Sequence, residues 1–305
     1  MNQTAVRWNN VSYFVRSGFW LQNKTILSGL DLELPWGTVL GLVGPNGAGK
    51  TTSIKLGAGI IEPDRGEVLV NNYPACSLAA KSSISILTEI QYFYPNLKVS
   101  EWLYSLAQMS GLSSRQIQEG LDLVLDSLEL GQLFQKQMHT LSKGQLQRTG
   151  LAQALMQDPD ILLLDEPMSG LDPYWRYRFK GVLKQQRERG KTILLSTHIL
   201  NDIEDLCDRI ALMENCRVRW TGAISELSRK IKGYEVVARI NDPDIVNDLA
   251  TEGSCEQKST GEYVFLIPSD KREYILDLVT RDRLELTSLS PVHQDLEELL
   301  FEISD

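Results

Sequence analysis

Gly44-Pro45-Asn46-Gly47-Ala48-Gly49-Lys50-Thr51 fills every fixed position of the pattern G-x-x-x-x-G-K-[ST]. Few strings of eight residues constrain the surrounding fold so strongly. The apolar run over 39–43 before it predicts a buried parallel strand, and residues 52–56 after it predict the opening of a helix. The loop then lies at a helix N-terminus, where backbone N–H groups freed by glycine and the positive end of the helix dipole face an anion. Gly44, Pro45, Asn46, Gly47, Ala48, Gly49, Lys50, Thr51 and Thr52 are therefore candidate phosphate contacts. Lys50 would reach the β- and γ-phosphates of a nucleoside triphosphate, and the Thr51 hydroxyl would ligate magnesium. The fold class that follows is α/β, with a phosphate loop between a strand and a helix.

Downstream, Ile161-Leu162-Leu163-Leu164-Asp165 is an apolar run ending in a carboxylate. A central parallel strand delivers an acid to its C-terminal edge in this way. Asp165 would hold magnesium. Glu166 follows directly and would polarise a water for in-line attack on the γ-phosphate, an arrangement suited to hydrolysis.

Between these motifs stands Leu141-Ser142-Lys143-Gly144-Gln145, followed by Leu146-Gln147-Arg148 and a helical run over 151–156. Together with Asp165-Glu166-Pro167, Ser169-Gly170-Leu171-Asp172 and Leu195-Ser196-Thr197-His198, these motifs resemble, in content and order, the nucleotide-binding subunits of ABC transporters. The resemblance spans roughly residues 5–230. It implies a P-loop NTPase of ABC type with an antiparallel β subdomain and an α-helical signature subdomain, binding ATP and Mg2+. Ser142, Gly144 and Gln145 would meet the ATP held by a second protomer, Asp172 would lie at the dimer seam, and His198 would contact the γ-phosphate and orient the attacking water. Lys143 stands where the family more often has glycine. Aligning Tyr94-Pro95-Asn96-Leu97 with the family's similar segment puts Glu89 at a magnesium-sensing position, with Gln91 the alternative. For the aromatic residue that stacks on adenine, Tyr13 is the candidate taken, and Phe14, Phe19 and Trp20 also qualify by type.

The remainder of the chain differs in character. Residues 1–230 are expected to form the ATPase domain and 234–305 an accessory α+β domain. Strands over 235–240, 255–258, 263–267 and 284–289 and helices over 243–249 and 271–280 give the order βαββαβ, a split βαβ arrangement. A last helix is expected over 294–301, and the tail 295–301 is similar to that of ATPases from drug, antibiotic and copper-enzyme-maturation exporters. From residue 234 onward 6 Lys/Arg stand against 17 Asp/Glu, net −11, leaving +2 for the rest of a chain of net −9. That acidity argues against nucleic acid as a partner. Without an apolar run of about 18–20 residues, the chain is expected to be cytoplasmic, held at the inner face of the cell membrane by a separate transmembrane permease that receives the aromatic segment Tyr92, Phe93, Tyr94 and Leu97. Cys76, Cys207, Cys216 and Cys255 lack metal-ligand spacing and are expected to be reduced thiols. With one copy of each motif, two chains must pair, as a homodimer or with a second ATPase. The alternatives are a non-transport cassette ATPase of DNA-repair or translation-factor type, an importer ATPase, and a binding module without turnover, which the presence of Glu166 disfavours.

Overall fold

The computed structural model describes residues 4–17, 22–226, 231–241, 255–257 and 261–293. Two compact units divide the chain, Met1–Glu226 and Leu227–Asp305, a few residues ahead of the boundary expected from sequence. The first unit runs β1 (Thr4–Ser17), β2 (Gln22–Pro35), β3 (Val39–Val43), α1 (Lys50–Gly57), β4 (Arg65–Val70), β5 (Tyr73–Pro74), α2 (Leu78–Lys81) and β6 (Ile84–Leu87). It continues with α3 (Val99–Met109), α4 (Ser114–Ser127), α5 (Lys143–Leu155), β7 (Ile161–Leu164), α6 (Pro173–Glu188), β8 (Thr192–Ser196), α7 (Leu200–Leu206), β9 (Arg209–Glu214) and β10 (Arg217–Ala223).

Among the described residues these strands form two sheets. The larger has the order β10-β9-β3-β8-β7-β6, parallel except for the β9–β10 hairpin. Every residue of β3, β7 and β8 is buried, which explains why their sequences are continuous apolar runs without alternation. The second sheet, β2-β1-β4-β5, is antiparallel. One core joins both sheets to α1: Trp8, Leu27 and Leu30 meet Ile54 and Leu56, with Leu40, Leu42, Leu163 and Leu194 behind them. The Trp8 indole N–H, buried there, donates to the Ser53 carbonyl of α1 at 3.1 Å, so the ring's polar edge is satisfied.

The helices α3, α4 and α5 pack together. Burial at Val99, Leu103 and Ala107, and at Ile117, Leu121 and Val124, follows the i, i+4 and i+3 steps of one helix face. Both α4 and α5 start in capping boxes, Ser113 with Gln116 and Ser142 with Gln145.

The second unit comprises β11 (Ile231–Ile240), β12 (Cys255–Gln257), β13 (Tyr263–Pro268), α8 (Arg272–Thr280) and β14 (Leu284–His293). Its sheet is antiparallel in the order β12-β13-β11-β14. Along β13, Phe265 and Ile267 are buried while Leu266 between them is exposed, the period of a half-covered strand. They form a core with Val236, Ala238, Leu284 and, from α8, Ile275 and Leu278. This core shares no residue with that of the first unit. The helices expected over 243–249 and 294–301, the exporter-like tail and most of the turn before β13 lie outside the described residues.

Candidate nucleotide site

Strand register builds the site. Leu42 of β3 lies opposite Ser196 of β8, Leu195 of β8 opposite Leu164 of β7, and Leu164 opposite Leu87 of β6. Four adjacent parallel strands therefore end level with one another. The phosphate loop, the Thr197-His198 segment, the Asp165-Glu166 pair and the Thr88-Glu89 segment all leave the sheet at its carboxyl edge, where open α/β sheets receive ligands.

A cavity of about 360 Å3 opens at that edge and is lined by Asn46, Gly47, Gly49, Lys50, Thr51, Thr52, Glu89, Glu166 and His198. Gly49 is the N-cap of α1 at φ 103°, and a Cβ there would come within 2.5 Å of Leu27 Cδ2, so the position is closed to other residues. Gly44 is equally confined, since a Cβ would lie 2.2 Å from the Met213 carbonyl oxygen. Lys50 is buried, and its Nζ donates to the carbonyls of Gly44 at 2.6 Å and Pro45 at 3.1 Å. Burial lowers its pKa, while the charges of Glu166, Asp165 and Glu89 oppose that shift. The ammonium thus lies at the cavity within the field of three carboxylates.

Ser196 organises the acids. Its hydroxyl donates to Asp165 Oδ1 at 2.7 Å and accepts from the Glu166 backbone N–H at 2.9 Å. Asp165 is buried, and its own N–H donates to the Leu87 carbonyl at 2.7 Å. Glu166 sits in the left-handed region, at φ 45°, which turns its side chain out of the strand direction. Both of its carboxylate oxygens lie 3.0 Å from His198 Nδ1. The candidate magnesium ligands, the Thr51 hydroxyl and the Asp165 and Glu89 carboxylates, all offer oxygen, the donor type that Mg2+ takes. Among the described residues no three His, Cys, Asp or Glu side chains converge to hold a metal by themselves. A magnesium ion held here would need phosphate oxygens to complete its shell, as is usual for that ion.

Two sequence expectations part here. Glu89 lines the cavity, whereas Gln91 turns away, packs on Gly150 of α5 and donates to Gln147. Tyr13, the candidate for stacking on adenine, does not line the cavity: it lies opposite fully buried Leu27 in the β1–β2 ladder, and its ring packs on the core. Residues paired across a ladder share a face, so Tyr13 follows Leu27 inward while Ile26, next along β2, faces the cavity. No Phe, Tyr or Trp ring lines the cavity among the described residues, and Phe19 and Trp20 lie outside them. Lys24, Thr25, Ile26 and Cys216, which also line it, gave no sequence signal. Ser196 was legible only as a strand residue beside His198.

Ser142, Gly144, Gln145 and Asp172 are not brought to this cavity. Ser142 caps α5: its hydroxyl accepts from the Gln145 N–H at 3.3 Å, and Gln145 Oε1 accepts from the Ser142 N–H at 3.0 Å. Asp172 caps α6, accepting from the Trp175 N–H at 2.8 Å.

Residues 27–169 match the ABC transporter family. An uncharacterized ABC transporter ATP-binding protein of Nostoc is 40% identical over 248 residues, covering 80% of this chain and 73% of the relative. The chain belongs to the ABC transporter ATP-binding proteins. Nod factor export ATP-binding protein I of Rhizobium etli is 30% identical over 277 residues, covering 90% of this chain and 88% of its own length. Among solved structures, an ATP-binding subunit of an ABC transporter is similar with a TM-score of 0.66 at 29% identity, covering 73% of this chain and 92% of that one. A dimeric ATP-binding cassette in a post-hydrolysis state, bound to ADP and Pi, shares the fold at a TM-score of 0.66 and 24% identity, over 72% of this chain and 98% of that one. This ABC protein is the ATP-binding and ATP-hydrolysing subunit of a transporter, and Mg2+ is the usual partner of the nucleotide. A solved relative, 28% identical, is part of an ABC transporter complex, and the cassette bound to ADP and Pi is itself dimeric. No helix among the described residues is long and apolar enough to cross a membrane.

Proposed function

We propose that this subunit drives export through a separate permease by pairing with a second cassette on ATP and separating after hydrolysis. The observation that carries the reading is the level carboxyl edge at which the phosphate loop, Glu166 and His198 line one cavity, with buried Asp165 tied to Glu166 through Ser196. The loop amides and Lys50 hold the phosphates, and Thr51, Asp165 and Glu89 hold the magnesium. When bound, magnesium would supply positive charge to offset that of the β- and γ-phosphates. Glu166 takes the proton of the attacking water, and His198, already within hydrogen-bond reach of Glu166, turns to the γ-phosphate and the water. Ser142, Gly144 and Gln145 serve the ATP of the facing cassette from the start of α5, and Asp172 lies in the seam. Their distance from this chain's own cavity supports that trans role. The cassettes pair as a homodimer, since every catalytic motif is present in this one chain.

Export rather than import is supported by the export ATP-binding relative of Rhizobium etli. The permease is received at the surface holding Tyr92 and Tyr94, which are 88% and 70% exposed. Phe93 and Tyr94 pack on Trp102 of α3 at centroid distances of 5.5 and 5.9 Å, giving an apolar seat beside the cavity loop. On this reading the protein works at the cytoplasmic face of the membrane.

Glu166→Gln tests the chemistry. The amide cannot accept the water proton, so turnover falls about 100-fold or more, while ATP with magnesium drives the variant into a dimer visible by gel filtration. Turnover at the wild-type rate would remove Glu166 from the role of base.

A further inference from the structure

One buried amide lies where three functional segments of the cassette meet. Gln147, on α5, is 3% exposed. Its Nε2 donates to the carbonyl of Pro167 at 2.9 Å, immediately after Glu166. Its Oε1 lies 3.4 Å from Nε2 of Gln91, which donates to it from the loop that carries Glu89. A polar side chain this deep is expected to have its hydrogen bonds made, and here both ends of the amide are engaged.

The segments so joined are those the proposed cycle must keep in step. Gln91 belongs to a loop whose Glu89 faces the nucleotide cavity and whose Tyr92 and Tyr94 are exposed. Gln147 is one turn beyond Ser142 on the helix that Ser142 caps. Pro167 follows Glu166, whose left-handed backbone leaves its carboxylate direction dependent on the loop that comes next. That loop is further held to α5 by Lys143, whose Nζ donates to Ser169 Oγ at 3.3 Å. The fit at the other end is close: a Cβ on Gly150 would lie 1.8 Å from Gln91 Oε1 and 2.0 Å from its Nε2, so the Gln91 amide lies flat on α5 only because residue 150 is glycine.

We infer that Gln147 is a positioning residue which, through Gln91 on one side and Pro167 on the other, sets the aim of Glu166 according to the state of the Glu89–Tyr94 loop and the signature helix. The inference rests on the hydrolytic role proposed for Glu166. It moves Gln91 from the magnesium site to a mechanical link between that site and α5.

Steady-state ATPase measurements on the full-length protein, with ATP and Mg2+ varied independently, test it. Gln147→Leu, Gln91→Leu and Gly150→Ala should each lower kcat about tenfold with KM for ATP changed less than about twofold, the pattern of an interaction that matters in the transition state. Gln91→Leu combined with Gln147→Leu should lose no more than the worse single variant, because both break one link. Gly150→Ala separates positioning from folding. Alanine favours helix over glycine, which offsets the loss of the long Gln91–Gln147 contact, so its melting temperature should change little while kcat falls. Rates within about twofold of wild type for Gln91→Leu and Gly150→Ala would overturn the inference, as would additive losses in the double variant. A loss restored by raised Mg2+ would also overturn it, since Gln91 would then be a magnesium contact. Failure of the underlying reading looks different, because Glu166→Gln would then turn over normally.

Discussion

Ser196 shows how much of the chemistry rests on a residue with no motif of its own. Its single hydroxyl ties the buried Asp165 carboxylate to the Glu166 backbone, fixing two acids of unlike role at one strand end. Ser196→Ala leaves a buried carboxylate oxygen short of a donor, at a cost of about 1–3 kcal/mol, and loosens the Glu166 amide. The expected outcome is a lower melting temperature together with reduced kcat at little changed ATP affinity, measured by thermal unfolding and steady-state kinetics. The phosphate loop, Asp165-Glu166 and His198 could be read from sequence because their chemistry demands fixed residue types at fixed spacing. Ser196, Cys216 and the Lys24–Ile26 stretch could not, since any strand or turn admits such residues and only the tertiary register brings them to the cavity. Tyr13 misled for a related reason. Its type suited a base-stacking role, but its partner across the ladder, Leu27, decides which face it occupies.

Among the elements, the pairing of α6 with α7 is held by charge. Asp202, 3% exposed in its side chain, accepts from Arg176 at 2.6 Å and pairs with Lys180 at 2.9 Å; Lys180 also meets Asp205 at 2.6 Å. Burial alone would lower the Lys180 pKa, but its bonds to Asp205 and Asp202 outweigh burial and raise it. A raised folded-state value means that the unfolded chain releases this proton first. The stabilisation is fully present below the ordinary lysine value of 10.5 and is lost as pH rises through the higher folded value. Asp202→Asn should therefore cost about 3 kcal/mol near neutrality, and above neutrality the difference in denaturant midpoint from wild type should narrow once the solution is strongly alkaline. A constant difference from pH 7 to 12 would count against the ion pairs. The start of α6 could be expected from Asp172 at its N-cap with Pro173 after it. This clamp could not, because its partners lie 22 to 26 residues apart on separate helices.

For the whole molecule, the change of pattern after residue 230 and the acidity of the remainder led to the expectation of two parts, and the compact units divide at Glu226. The order β12-β13-β11-β14 was accessible only as the arrangement a βαββαβ string commonly adopts, since strand pairing is not written in any one strand. Truncation after Lys232 should leave a folded protein that binds ATP, as judged by a cooperative melt and nucleotide titration. Insolubility or loss of nucleotide binding would show that the first unit needs the second. If the truncated protein stands, the two unshared cores acquire an evolutionary meaning. Substitutions accumulating in the tail would carry no stability penalty into the ATP site, so the tail could be remodelled, or exchanged between sister transporters, while the motor is inherited intact.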